Sequence, residues 1–123
     1  MQGDHNLNLT MNSRTPTDTT CLLTIEGEVD VYTSPQLKQD IVQLAERGVK
    51  HIIIDLSKVE YLDSTGLGVL IGGLKRLREA GGNLALVGPG MRIQRIFEIT
   101  GLNKIFDIYA TEEEAAAQEG VTL

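Results

Sequence analysis

Two adjacent hydroxyl residues, Ser64 and Thr65, lie between an apolar strand and a glycine-rich helix, where their side chains could do chemistry. Ser64 follows Asp63, so a hydroxyl at a predicted helix start stands beside a carboxylate. Such a serine can cap the helix, and because the ends of elements lie at the surface it is also accessible to a protein kinase. A phosphate there would change the local charge by about −1.5 to −2 and could turn a docking surface off. The plain N-cap is the commoner role for a serine in this position, and both interpretations remain open at this point.

The predicted helix that follows contains four glycines: Gly66, Gly68, Gly72 and Gly73. A glycine inside a helix costs about 1 kcal/mol relative to alanine, so four of them need a reason. The step from Gly68 to Gly72 is one residue too long for a dinucleotide-binding fingerprint, and no Gly-Lys-Ser/Thr sequence follows at the distance that a phosphate-binding loop requires.

Thr65, Gly68 and Gly72 follow one another at three- and four-residue steps, which places them on one ridge of the helix. That ridge could form a shallow surface for another protein next to Ser64. It could equally pack under a neighbouring helix of the same chain, and the pattern alone does not choose between the two.

Other catalytic chemistry has little support. A hydrolase needs a nucleophile, a base and an oxyanion site, yet the two histidines are His5, near the start, and His51, at the head of an apolar strand. Asp55 closes an apolar run and is interpreted as a turn or cap residue. No group of Cys, His and acidic residues has metal-ligand spacing, so we expect neither metal nor cofactor. Cys21, in an apolar run, is interpreted as a buried strand residue.

Composition limits the partners. The 123 residues fit one domain, and 17 acidic against 11 basic residues give a net charge of −6, which argues against a nucleic-acid partner. No Trp, two Phe and three Tyr leave no evident stacking platform for bases. The first residues are polar, unlike a signal peptide, and no apolar run approaches the length of a membrane span, which is about 20 residues. We therefore expect a cytoplasmic protein without a membrane partner.

The elements are predicted from periodicity and from end signals. The alternation of Leu7, Leu9 and Met11 with polar residues indicates a first strand. Residues 13–19, which include Pro16, are predicted to form a turn, and residues 20–28 a second strand. Thr33 is a candidate cap for a helix over 35–47 that ends at Gly48 and packs Leu37, Ile41, Leu44 and Ala45 on the sheet. The β-branched run 51–56 is typical of a central parallel strand.

The second half repeats the strand and helix pattern. A helix beginning near Ser64 and ending at Gly81 and Gly82 carries an apolar stripe. Its members are Leu67, Leu70, Ile71, Leu74 and Leu77. A strand is predicted at 83–87 and another at 104–109. Between them lies a predicted helix at 91–100, which ends at Gly101 and turns Ile93, Ile96 and Phe97 inward. Thr111 and Glu114 form a capping box for a last helix through Ala117.

The sum is an α/β fold: one domain with a mainly parallel sheet, an N-terminal β-hairpin and about four helices joined by right-handed crossovers. We place the domain at residues 6–118, with a flexible start at 1–5 and a flexible end at 119–123.

Three segments of the chain match one known family: Gly-Glu-Val-Asp at 27–30, the residues at 61–70 and the residues at 96–102. They resemble, in this order, the end of a strand, the phosphorylation segment and the end of the third helix in the STAS-domain anti-sigma factor antagonists of bacterial sporulation and general stress control. The resemblance extends from about residue 6 to residue 117. Extra polar residues at 14–20 depart from the family pattern but leave the site intact.

The resemblance implies a partner switch rather than catalysis. With Ser64 unmodified, such a protein binds an anti-sigma factor that is also an ATP-dependent serine kinase, which frees the sigma factor. Phosphorylation of Ser64 reverses this, and a metal-dependent serine/threonine phosphatase restores the active form. Asp63 corresponds to the acid beside the acceptor, Glu28 and Asp30 to partner-contacting acids, and Thr65 to a secondary acceptor. The predicted partner-binding set is Glu28, Asp30, Asp63, Ser64, Thr65, Gly66, Gly68 and Gly72.

A phosphate at a helix N-terminus should be stabilised by the helix dipole and by free amide donors, so we expect the modified domain to stay folded. Binding is then lost at the interface, where the new charge meets Asp63 and polar surface resists desolvation. A loss of about 3 to 4 kcal/mol would weaken binding some hundreds of fold.

Two other functions remain as alternatives. One is a STAS scaffold that is phosphorylated within a large stressosome-type assembly, and the size of the purified particle distinguishes it. The other is a weak nucleotide-binding or enzymatic role, suggested only by the glycine-rich helix start.

Overall fold

The structure, a computed structural model, describes residues 8–123, and its elements follow one another in the predicted order. They are β1 Leu9–Thr17, β2 Thr20–Val29, α1 Ser34–Glu46, β3 His51–Leu62, α2 Ser64–Glu79, β4 Asn83–Val87, α3 Met91–Thr100, a short 3₁₀ turn at Leu102–Lys104, β5 Asp107–Tyr109 and α4 Glu112–Gln118. The expected flexible start at 1–5 and the strand residue Leu7 lie outside the described residues.

The five strands form one sheet in the order β1-β2-β3-β4-β5. The first pair is antiparallel and the other three pairs are parallel, which confirms the predicted hairpin and mainly parallel sheet. Because each parallel strand lies beside its predecessor, right-handed crossovers place α1, α2 and α3 on the same face of the sheet. No helix in the described range 8–123 is long and apolar enough to cross a membrane.

The central strand β3 is covered on both faces, as its unbroken apolar run predicts. Ile52 and Ile54 belong to the main core beneath α1, α2 and α3. Ile53 points to the opposite face, where Ala115 and Ala116 of α4 pack against the sheet. The predicted inward residues of α1 are buried at Leu37, Ile41 and Leu44 and half-buried at Ala45. In α2, Leu70, Leu74 and Leu77 are buried and Leu67 is half-buried, whereas Ile71 is exposed, so its assignment to the stripe is wrong.

The first hairpin differs from the prediction. Residues 13–17 are not a turn: β1 continues to Thr17, and the connection to Thr20 is short. The strand accommodates Pro16 because β1 is an edge strand, and the register with β2 shifts between Arg14 and Thr17. A proline lacks the N–H that an interior strand needs, and an edge with a bulge does not require it.

Two further strand boundaries are corrected. β3 runs on to Leu62 instead of ending at residue 56, so Asp55 lies within a strand and is neither a turn nor a cap residue. The predicted strand at 104–109 is shorter than expected: Lys104 ends a 3₁₀ turn, and β5 begins only at Asp107. In the expected flexible end, Glu119 contacts His51 at 2.8 Å and Val121 packs on the second core.

Helix ends follow the predicted signals. Gly48 follows the C-cap Arg47 of α1 and Gly101 directly follows α3, and both adopt the left-handed conformation, with φ of 97° and 77°. Thr111 accepts a hydrogen bond from the backbone N–H of Glu114 at 3.1 Å, which confirms the Thr111 cap of α4. Thr33 precedes α1 but does not cap it through its side chain, because its hydroxyl is held by the preceding loop.

Candidate functional site

The candidate site lies where the carboxyl ends of β2 and β3 meet. These strands are parallel neighbours, with Glu28 opposite Tyr61 and Val29 opposite Leu62. The backbone N–H of Asp63 donates to the Val29 carbonyl at 3.1 Å, which joins the start of α2 to the end of β2. The sheet therefore brings the acidic strand end at 28–30 and the hydroxyl pair at 64–65 to one edge.

Asp63, and not Ser64, caps α2. One oxygen of its carboxylate, Oδ1, accepts hydrogen bonds from the backbone N–H of Thr65 at 2.9 Å and of Gly66 at 3.1 Å. The same oxygen accepts the hydroxyl of Thr65. This hydroxyl is the main cause that holds the pKa of Asp63 below its usual range, and the two backbone donors act in the same direction. The carboxylate beside Ser64 is therefore ionised at neutral pH.

Ser64 is the first residue of α2 and is exposed. Because Asp63 takes the role of cap, the interpretation of Ser64 as a plain N-cap is wrong. Two amide donors of the first turn are already bound to Asp63, so they are not free for a phosphate on Ser64 as the sequence suggested. A group added to the Ser64 oxygen would extend from the surface toward solvent or a partner.

Asp30 shapes the loop between β2 and α1. Its Oδ1 accepts hydrogen bonds from the backbone N–H of Tyr32 at 2.9 Å and of Thr33 at 3.0 Å. The Thr33 hydroxyl donates to the Glu28 carbonyl at 2.8 Å and accepts from the Asp30 N–H at 2.9 Å. Glu28 and Asp30 are both half-buried, and Asp30 has a structural role that the sequence did not indicate.

Three exposed apolar side chains next to this edge were missed by the sequence reasoning. Val31 is 56% exposed, Tyr32 82% and Tyr61 48%. The Val31 backbone lies against the Asp63 carboxylate and helps to lower its pKa, so this loop borders the start of α2. The available signal was the Val-Tyr pair inside an otherwise polar loop, since large exposed apolar side chains grouped together are typical of interaction sites.

The four glycines of α2 divide into two pairs. Gly66 and Gly73 are buried. A Cβ on Gly66 would lie 2.6 Å from both Leu62 Cδ1 and Val29 Cγ1. Gly68 and Gly72 are exposed, and a Cβ on either would meet nothing within 4 Å. Gly66 therefore has a packing role and lies outside the exposed surface.

The ridge of Thr65, Gly68 and Gly72 is open rather than covered by another helix of the chain. It forms one wall of a groove between α1 and α2 with a volume of about 320 Å³, which extends along α2 to Arg76. Lys38, Ile41 and Val42 of α1 line the other wall. The structure thus favours the first of the two interpretations of the ridge, an accessible surface beginning next to Ser64.

The remaining candidate residues lie away from this site. Cys21 is buried in β2, and burial raises the pKa of its thiol. Asp55 is buried in β3 and hydrogen-bonds to Glu112 at the start of α4. Within residues 8–123 no three His, Cys, Asp or Glu side chains are grouped so that they could hold a metal ion.

Known proteins resemble this chain over most of its length. Residues 11–115 match the STAS domain family. The anti-sigma-B factor antagonist of Bacillus subtilis (strain 168) is 47% identical over 89 residues, which cover 72% of this chain and 81% of that relative.

Solved structures agree with the fold. The anti-sigma factor antagonist SpoIIAA in its unphosphorylated form matches with a TM-score of 0.81 at 25% identity, covering 93% of this chain and 100% of that chain. The Bacillus cell fate determinant SpoIIAA in its phosphorylated form matches with a TM-score of 0.73 at 25% identity, covering 89% and 99% of the two chains.

Proposed function

The chain belongs to the STAS domain family, and from that premise we propose that it is an anti-sigma factor antagonist whose binding is switched at Ser64. In its unmodified form it binds an anti-sigma factor and frees the sigma factor. Phosphorylation of Ser64 by that anti-sigma factor, acting as a serine kinase, ends the binding. A metal-dependent serine/threonine phosphatase then restores the unmodified form.

The observation that carries this proposal is the exposed Ser64 at the start of α2, beside a cap that Asp63 already supplies. Its neighbour Thr65 is bound to Asp63, so Ser64 has the less engaged hydroxyl of the two. The names of the relatives support the role of antagonist, and SpoIIAA is a relative solved both with and without phosphate.

The surroundings of Ser64 supply a docking surface. Exposed Val31, Tyr32 and Tyr61 offer apolar area on one side, and the open glycines of α2 offer close approach on the other. Glu28 and Asp30 add acidic contacts at the rim. This is the arrangement of a binding module, with apolar contacts near the centre and charges around them.

The phosphate acts by charge and bulk at this surface. It would add about −1.5 to −2 charges next to an ionised Asp63, and its hydration resists the desolvation that docking requires. The domain itself should remain folded, because negative charge at a helix N-terminus is favourable and Ser64 is not part of the core. The switch then alters affinity and leaves the fold unchanged.

The test measures binding of the purified chain to the anti-sigma factors encoded in the same genome, by titration calorimetry, with Ser64→Asp and Ser64→Ala as variants. We expect Ser64→Ala to bind and Ser64→Asp to bind at least about a hundredfold more weakly, with similar melting temperatures. Incubation with the binding partner and ATP, followed by mass spectrometry, should place phosphate on Ser64. Equal affinity of the phosphorylated and unphosphorylated chains would contradict the proposal.

A further inference from the structure

Gly68 and Gly72 lack an internal explanation in this fold. Each weakens α2 by about 1 kcal/mol relative to alanine, and neither is needed to make room for the protein's own side chains. They lie one helical turn apart on the same ridge, where the missing side chains leave the backbone open to close approach. They therefore leave the α2 backbone open to contact from outside the domain.

The groove beside this ridge is positively charged, although the chain carries a net charge of −6. Lys38 lies on the α1 wall, and Arg76 lies at the end of the α2 wall that is distant from Ser64. None of the side chains that line the groove is acidic. Among residues 8–123 neither cation forms an ion pair within 4.0 Å. Between them the α1 wall is formed by Ile41 and Val42, and the α2 wall by Thr65, Val69 and three glycines.

We propose that this groove receives an acidic, amphipathic helix of the anti-sigma factor, whose carboxylates pair with Lys38 and Arg76. The inference rests on the proposed function and extends its docking surface away from Ser64. From Thr65 to Arg76 the α2 wall is about 16 Å long, which accommodates about three turns of a helix. Seating an amphipathic helix in such a groove is a common mode of recognition.

The charge of the occupant explains why phosphorylation is effective. The groove begins at Thr65, the residue after Ser64, so a phosphate on Ser64 would lie next to the end of the groove that receives the acidic helix. Repulsion between like charges acts on the partner as well as on Asp63, and it is stronger where water is excluded from the interface. A phosphate on Ser64 would therefore release the partner and oppose its return to the groove.

The first test reverses charge inside and outside the groove. Lys38→Glu and Arg76→Glu should each weaken binding to the anti-sigma factor by about five- to tenfold, and the losses should shrink as salt rises from about 50 to 300 mM. Lys75→Glu is the matched control, because Lys75 is an exposed neighbour of Arg76 that does not line this groove. It should bind as the parent does.

The second test fills the groove. Gly72→Leu replaces a helix-weakening residue in open space, so it should raise the melting temperature while weakening binding by about tenfold or more. A residue with a purely structural role would not move these two measurements in opposite directions.

The outcomes separate the two proposals. If Ser64→Asp abolishes binding while Lys38→Glu, Arg76→Glu and Gly72→Leu bind like the parent, the groove inference is wrong and the Ser64 switch stands. If Lys75→Glu weakens binding as much as Lys38→Glu, the effect is one of overall charge and the groove inference is also wrong. If the unmodified chain binds no anti-sigma factor, the proposed function fails first, and the inference fails with it.

Discussion

Asp63 holds Thr65 through two hydrogen bonds to one carboxylate oxygen, one from the backbone N–H and one from the hydroxyl. Ser64 lies between these two residues in sequence, yet it is exposed at the first position of α2. The same carboxylate therefore caps the helix, engages the second hydroxyl and leaves the first one accessible. This asymmetry distinguishes two side chains that the sequence alone leaves nearly equivalent.

Phosphate transfer should follow this asymmetry. We expect Ser64→Ala to remove phosphate incorporation by the partner kinase, because the Thr65 hydroxyl is bound to Asp63. Thr65→Ala, which leaves the Ser64 hydroxyl in place, should still be phosphorylated. Mass spectrometry of the intact and digested chains measures both. Incorporation at Thr65 in the Ser64→Ala variant, at the rate of the parent chain, would show that the contact does not protect Thr65.

Removing the cap should lower stability. Asp63→Ala leaves the N–H groups of Thr65 and Gly66 without their acceptor, and the free energy of unfolding should fall by about 1 kcal/mol. Asp63→Asn should lose much less, since asparagine is also a good N-cap. Urea denaturation at pH 7 measures both variants. If the alanine and asparagine variants were equally stable, the hydrogen bonds would not be the cause.

The low pKa of Asp63 sets the sign of its pH dependence. Because the pKa in the folded state lies below the unfolded value, this carboxylate stabilises the fold above the unfolded pKa, and the contribution is lost as the pH falls through the folded value. The difference in stability between the parent and Asp63→Asn should therefore narrow in acid. A difference that stayed constant from neutral to acidic pH would contradict this assignment.

The glycines of α2 should respond to alanine in opposite directions. Gly68→Ala and Gly72→Ala meet open space and should each stabilise the domain by about 0.5 to 1 kcal/mol. Gly66→Ala forces a Cβ to 2.6 Å from Val29 and Leu62 side-chain atoms and should destabilise it by about 1 to 3 kcal/mol. Because all three changes add the same single methyl group to one helix, each serves as a control for the others in thermal denaturation.

Much of the fold could be predicted from local pattern. The spans of β4 and α3 match the predicted ranges, because their apolar periodicity ends at clear glycine signals. The first hairpin could not be placed, since Pro16 is compatible with either a turn or an edge strand and only the sheet order decides between them. Asp55 was misassigned because β3 continues past it to Leu62 through polar residues that interrupt the apolar pattern, and its partner Glu112 is distant in sequence.

The site was partly predictable for the same reason. The segment around Ser64 is local, so its exposure and its place at a helix start followed from the sequence. The groove required the relative placement of α1 and α2, which no local pattern specifies. Whether a helical glycine faces the core or the groove likewise depends on tertiary packing, as the contrast between Gly66 and Gly68 shows.

Asp55 of β3 and Glu112 at the start of α4 are within hydrogen-bonding reach of each other. The hydrogen bond to Asp55 is the largest cause that raises the pKa of Glu112 to about 7, and burial adds to it. Nη2 of Arg14 in β1 lies 3.3 Å from Oε1 of Glu112, and its positive charge lowers the pKa of Glu112. The negative charge of Glu113 raises it. Burial is the largest single influence on the pKa of Asp55 and raises it, but hydrogen bonds with Glu112 and Ser57 and the charge of Lys58 together lower the pKa below its usual value. We therefore expect a proton on Glu112 to bridge the two carboxyl groups and to help hold α4 on the sheet.

Loss of that proton should weaken the attachment of α4 as the pH rises. The pKa of Glu112 is about 7 in the folded chain against 4.5 ordinarily, so its contribution is fully present below pH 4.5 and is lost as the pH rises through about 7. The pKa of Asp55 is lowered from 3.8, so its own contribution to stability is constant in this range and is lost only in more acidic solution. Glu112→Gln donates to Asp55 at every pH, so the fall in urea midpoint between pH 5 and pH 8 should be smaller than in the parent. Glu113→Gln removes the same charge from an exposed neighbour and should keep most of the parent's slope. A parent slope that Glu112→Gln leaves unchanged would show that another group controls the stability of the domain in this range.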